Sequence, residues 1–375
     1  MNTRLFVLVL VVAVVAAACS SSGDDAASPT DPATTATTVV PTTVEAAPTT
    51  EVAGSTVGDW TAIPGGDDCR CSDGSEFEVW ERQGDPTKVV LFFQGGGACF
   101  SAETCGPESR LFERSITIGE APDFGGIFDE TNPENPLAGH SVVYVPYCTG
   151  DVHLGNRVTE YSDTVTIDHN GFTNARKGLD TVLANYPDVE QLVVAGASAG
   201  SIPTPAFAGL AADELPDTEI VTLGDSSAAY PDVPALNAGI GGLWGVLENV
   251  PDWPVNEGLT PEEWSLPGLY VQAGMRHPEI TFARFDYAFD RVQAGFVALA
   301  GVQMDDLVSF IDQTEADIEA KGVPVASYVA PGDTHTILLR DQFYDLEVDG
   351  VRLVDFVATL VAGGVPADVR CTECR

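Results

Sequence analysis

The chain has 375 residues, with 17 Lys and Arg against 56 Asp and Glu, a formal net charge of −39. That balance excludes nucleic-acid binding through a general basic face, which needs cations to displace counterions from phosphate. It also argues against attachment to anionic lipid through a polybasic patch. Hydrophobic residues make up 44% of the chain and mean hydropathy is +0.08, too apolar for disorder despite the charge. With 37 Gly and 25 Pro, the body should be rich in turns.

Residues 1–19 read as an export signal. Met1–Arg4 is short and basic, and Leu5–Ala18 is an uninterrupted apolar run too short to span a bilayer comfortably. The run ends Ala16-Ala17-Ala18-Cys19, followed by serines, and resembles the lipobox of bacterial lipoproteins, with Ala16 where leucine is usual. That resemblance implies Cys19 as the lipidated N-terminus. Residues 20–58, dominated by Thr, Pro, Ala and Val, cannot build a core and should form an extended tether. The expectation is an exported protein, either secreted or lipid-anchored at the outer face of a bacterial cell membrane. It would touch membrane through that lipid only, and its charge and tether point to a monomer.

From residue 59 to 375, β-rich and helix-compatible segments alternate. Glu76–Glu81 is a candidate antiparallel edge strand. Val89–Gln94, Ser141–Val145, Gln191–Ala197, Glu219–Leu223, Ile280–Phe285 and Val325–Val329 are short apolar runs that suit parallel strands covered on both faces. Between them, Thr173–Asn185, Ser201–Ala211, Met304–Ala320 and Val351–Val361 carry helical spacing. Such alternation predicts an α/β fold, a mainly parallel central sheet with helices on both faces. Tyr230–Pro278, rich in Gly, Pro and Trp, breaks the alternation. It is expected as a cap-like insertion, either a lid or pocket wall or an excursion whose tryptophans pack down.

Beyond Cys19 the cysteines are Cys69, Cys71, Cys99, Cys105, Cys148, Cys371 and Cys374. An exported chain keeps disulfides, and an odd count leaves one thiol over. Cys371-Thr-Glu-Cys374 has neither a second CxxC nor a nearby His, which speaks against zinc.

Gly196-Ala-Ser198-Ala-Gly200 follows an apolar strand and precedes a helix-compatible run, the context in which G-x-S-x-G exposes a nucleophilic serine in α/β-hydrolases. Gly95-Gly96-Gly97 follows an earlier strand, where a main-chain oxyanion loop belongs. Of the five histidines only His335 follows every predicted strand, the position of a general base in the order Ser, acid, His. His153 comes too early, and His140, His169 and His277 suit structural or surface roles. The acid is open among Asp286 and Asp290, both after Ile280–Phe285, and Asp225 after an earlier strand. Asp333 is too close in sequence to reach the imidazole.

These residues resemble the pectin acetylesterases and Notum-type carboxylesterases. The matching pieces are Gly95-Gly-Gly-Ala-Cys99, Pro146-Tyr-Cys-Thr-Gly-Asp151, Gly196-Ala-Ser-Ala-Gly200, Ala288-Phe-Asp290-Arg-Val-Gln293 and the His335 loop, in the family's order from about Cys71 to Leu339. The resemblance implies an α/β-hydrolase fold with Ser198 as nucleophile, His335 as base and Asp290 as its orienting acid, leaving Asp286 second. It implies an oxyanion hole from the N–H groups of Gly96, Gly97 and Ala199. It also implies disulfides Cys99–Cys105 and Cys71–Cys148, with Cys69 tied to the tail. Family members often carry an aromatic where this chain has Gly97, which implies a more open pocket here. The chemistry requires no metal or organic cofactor. The partner expected is an ester, above all an acetylated polysaccharide; a longer-chain deacylase and a non-catalytic glycan-binding lipoprotein are the alternatives.

Overall fold

The computed structural model describes residues 57–372 and 374; the export signal, Cys19 and nearly all of the tether lie outside them. A nine-stranded sheet organises the body, in the order β1-β2-β4-β3-β7-β8-β9-β10-β13. Its strands are β1 (Trp60–Pro64), β2 (Glu78–Arg82), β3 (Asp85–Phe93), β4 (His140–Val145), β7 (Gln191–Ala197), β8 (Glu219–Asp225), β9 (Thr281–Tyr287), β10 (Val325–Ala330) and β13 (Val369–Arg370). A separate antiparallel hairpin is formed by β5 (Arg157–Ser162) and β6 (Val165–His169), and a smaller one by β11 (Glu347–Val348) and β12 (Val351–Arg352). From β4 to β13 every neighbouring pair in the large sheet is parallel.

Side-chain alternation along these strands builds two cores. Val90, Phe92, Val193, Ala195, Leu223 and Phe285 point to one face of the sheet. There they meet α6 (Leu307–Glu319) and α8 (Leu353–Val361). Val89, Leu91, Phe93, Leu192, Val194 and Phe282 point to the other, against α1 (Gly171–Asn185), α2 (Thr204–Glu214) and α4 (Gly268–Arg276). Burial on both faces is why these strands are continuous apolar runs. This is an α/β-hydrolase-like fold.

β2 is not an edge. It runs antiparallel to β4 on one side and to β1 on the other, so the outer strand is β1. β1 is short, half-exposed and ends in Pro64, features that leave little strand signal in its sequence. Within Tyr230–Pro278, α3 (Pro234–Trp244) belongs to the irregular part, whereas α4 returns to the body and packs Tyr270 and Ala273 against α2.

Cys71–Cys148 and Cys99–Cys105 are bonded. The expected tie between Cys69 and the tail is replaced by Cys371–Cys374, because the two tail cysteines close on each other. Cys69 stays a buried thiol beside α1, its Sγ 3.8 Å from the Thr173 carbonyl.

Candidate active site

β3 leads to β4 on one side, while β7 lies on its other side, so a crevice opens at the carboxyl ends of β3 and β7. Ser198 follows β7 directly, with φ of 55°, a left-handed conformation that L-residues rarely adopt. Its neighbours make the turn possible. A Cβ on Gly196 would run into the Gly200 carbonyl, and one on Gly200 into the Phe93 carbonyl.

The Ser198 Oγ lies 2.7 Å from His335 Nε2, and His335 Nδ1 lies 2.7 Å from Asp290 Oδ2. In the neutral ring Nδ1–H donates to the carboxylate, leaving Nε2 to accept from the serine hydroxyl. Asp290 is fully buried and is the N-cap of α5 (Arg291–Leu299). Its Oδ1 accepts from Val292 N at 2.8 Å and Gln293 N at 3.1 Å, and Oδ2 also accepts from Gln293 Nε2 at 3.1 Å. A helix N-terminus thus stabilises the carboxylate that faces the imidazole.

The other acids brace this arrangement. Asp225 Oδ2 accepts from Ile337 N at 2.8 Å and Leu338 N at 2.9 Å, pinning the His335 loop to the end of β8. Asp286 Oδ1 accepts from Gln293 Nε2 at 2.9 Å and Ala228 N at 3.1 Å, and burial pushes its carboxyl up to about 7. Asp333 pairs with Arg291.

Gly97 has φ of 79°, and a Cβ there would collide with the Leu111 carbonyl, so this backbone accepts only glycine. Gly96 O accepts from Glu113 N at 2.9 Å and Ala98 N donates to Leu111 O at 3.1 Å. Neither Gly96 N nor Gly97 N donates to a protein acceptor among the described residues. Gly97 and Ala199 border one cavity with Ser198, while Gly96 borders an adjoining groove. His153 has a role that its sequence position did not reveal: its Nε2–H donates to the Gln94 carbonyl at 2.8 Å, fixing the residue before the glycine loop. Burial drives its pKa down to about 4 and keeps the ring neutral. The adjacent Asp151 carboxylate is buried as well, accepting from Thr149 Oγ1 at 2.6 Å and Gly171 N at 2.8 Å.

The cavity beside Ser198 has a volume of about 100 Å³ and opens to solvent. Phe100, Ile202, Ile240, Trp244, Trp264 and Phe296 make its wall apolar. Trp244 is anchored by its indole N–H, which donates to the Cys99 carbonyl at 2.8 Å. Cys99, Cys105 and His169 cluster nearby, but the two sulfurs are bonded to each other. The His169 ring nitrogens engage the Thr149 carbonyl and the Tyr161 hydroxyl, so the trio has no ligand atoms to offer a metal.

The pectinacetylesterase family model matches residues 55–235, which contain the glycine loop and Ser198. Over that segment, just under half of its length, the chain is similar to the pectinacetylesterases. The palmitoleoyl-protein carboxylesterase NOTUM of Schmidtea mediterranea is 27% identical over 154 residues, 37% of this chain and 28% of that protein. Palmitoleoyl-protein carboxylesterase notum2 of Xenopus laevis is 33% identical over 91 residues, 23% of this chain and 19% of that protein. The chain therefore spans less than a third of the length of the curated relatives it matches. The structure of the Wnt deacylase Notum from Drosophila superposes with a TM-score of 0.60 at 19% identity, covering 83% of this chain and 96% of that one. At that identity the likeness is one of fold. Asp290 and His335 lie beyond the segment matched by the pectinacetylesterase model.

Proposed function

We propose that the chain is a serine carboxylesterase with Ser198 as nucleophile, His335 as general base and Asp290 as the acid that fixes the imidazole. The observation that carries this is the hydrogen-bonded series Asp290–His335–Ser198, 2.7 Å at each step, at the mouth of an apolar cavity. His335 Nε2 takes the hydroxyl proton as Oγ attacks the ester carbonyl, and the proton then passes to the departing alcohol. Water, activated by the same nitrogen, releases the acid. The N–H groups of Gly96, Gly97 and Ala199 are the candidate oxyanion donors; losing one such donor typically costs about 10²–10³ in rate.

The apolar wall supports acyl chains longer than acetyl. Each methylene buried is worth roughly 0.8 kcal/mol, about fourfold in kcat/KM. A second reading, O-deacetylation of polysaccharide, is favoured by the pectinacetylesterase match. Secretion, lipidation at Cys19 and the tether of residues 20–58 complete the proposal.

Hydrolysis of p-nitrophenyl esters from acetyl to palmitoyl, beside Ser198→Ala, tests it. Activity should rise along the series until the cavity is full, and the substitution should abolish it. A folded protein inert on every ester would sink the esterase reading and leave that of a glycan-binding lipoprotein. An optimum at acetyl would choose deacetylation.

A further inference from the structure

The glycine loop borders a second space. Gly95 and Gly96 edge a groove of about 440 Å³, open to solvent, that the ester chemistry above does not use. It begins beside the nucleophile, since a Cβ on Gly95 would lie 2.8 Å from the Ser198 Cβ. Tyr144 and Trp80, only 2% and 6% exposed, line it. The Tyr144 hydroxyl and the Trp80 indole N–H have no hydrogen-bond partner among the described residues, and neither is sealed from solvent. Buried polar tips are normally satisfied, so two donors waiting at a groove point to a ligand.

The opposite wall supplies acceptors. Glu113, Glu120 and Asp123 line the same groove, and their carboxylates bond to no protein donor among the described residues. At the rim stands Phe124, 39% exposed, its ring centroid 5.9 Å from that of Tyr144. Among the described residues, no Lys, Arg or His lines the groove.

We infer that this groove is the alcohol-side subsite and that it takes an uncharged sugar. Hydroxyls both donate and accept, so they satisfy the carboxylates and the waiting N–H and O–H groups together, while an apolar sugar face rests on an aromatic ring. A uronate would set its carboxylate against three others with no cation between them. An ammonium would pair with the carboxylates but offer the Tyr144 and Trp80 donors no acceptor. The subsite rests on the esterase reading only for which half of the ester it holds.

Binding to the Ser198→Ala protein tests it apart from activity. Calorimetry would compare a panel of neutral tetraoses (xylo-, manno-, gluco- and galacto-) with tetragalacturonate and a glucosamine tetramer. At least one neutral tetraose should bind at least tenfold more tightly than either charged probe at low salt. Tyr144→Phe, which removes a hydroxyl without a protein partner, should weaken that binding about three- to tenfold. Glu120→Gln with Asp123→Asn should narrow the gap to the uronate. Equal or tighter uronate or glucosamine binding, no binding across the neutral panel, or indifference to Tyr144→Phe would each overturn the inference. Wild-type protein that cleaves p-nitrophenyl esters while no neutral tetraose binds would retain the esterase and refute the subsite. The reverse pattern would retain the subsite and refute the esterase.

Discussion

Asp290 does two jobs with one carboxylate, since Oδ1 caps α5 while Oδ2 holds His335. Substitutions can separate them. Asp290→Asn keeps a capping acceptor but no longer enforces the imidazole tautomer, so kcat should fall by about 10³–10⁴ with little change in melting temperature. Asp290→Ala should lose comparable activity and about 1 kcal/mol of stability besides, readable in a denaturant titration. Asp286 sets a pH dependence. Its carboxyl, raised to about 7, keeps a proton in the folded protein that the unfolded chain sheds near pH 4. Its contribution therefore favours folding at low pH and is lost as pH rises from about 4 to 7. Thermal melts should show Asp286→Asn gaining on the parent across that window and levelling off above it. His153 and His169 act oppositely: each is held near 4, so their contribution is lost as pH falls from about 6.5 towards 4.

Among the elements, β3, β4 and β7 to β10 were legible because both faces are buried and each strand is an apolar run. The hairpin β5–β6 was not, since Arg157–Ser162 has one buried residue and reads as polar loop. Helix α5 was also missed; only Gln293 and Val297 are fully buried along it, too few to make a helical stripe. Ser198, His335 and the glycine loop could be singled out as candidates because strand ends and chain order mark them. The braces could not: His153 acts on a carbonyl 59 residues earlier in the chain, a relation that no local spacing encodes. Disulfide effects should scale with the loops they close. Cys71–Cys148 encloses a separation of 77 residues and Cys99–Cys105 one of 6. Replacing the first pair by alanines should cost about 4 kcal/mol and the second about 2 kcal/mol on chain-entropy grounds, measured by denaturant unfolding. Because Trp244 hangs on the Cys99 carbonyl, the second variant should lose hydrolysis of long-chain esters before that of acetyl esters.

At the scale of the whole molecule, the sheet is the stable part and the site is set beyond the carboxyl ends of its central strands, in irregular backbone. The non-glycine residues with positive φ among those described are Val152, His153, Ser198, Ser226, Thr336 and Asp349. All but Asp349 border the site: Val152 lines the cavity, His153 secures Gln94, and Ser226 Oγ accepts from Thr336 N beside His335. Conformations of this kind cost of order 1–3 kcal/mol each and persist only while their surroundings enforce them. Heat should release them first, since local opening needs less free energy than melting a sheet buried on both faces. Residual activity after brief heating should therefore decline at temperatures where far-ultraviolet circular dichroism is still native. Coincident curves would mean that the strained turns and the sheet come apart as one unit. For the proposed esterase, working lifetime would then be set by a few residues around Ser198 rather than by the stability of the fold.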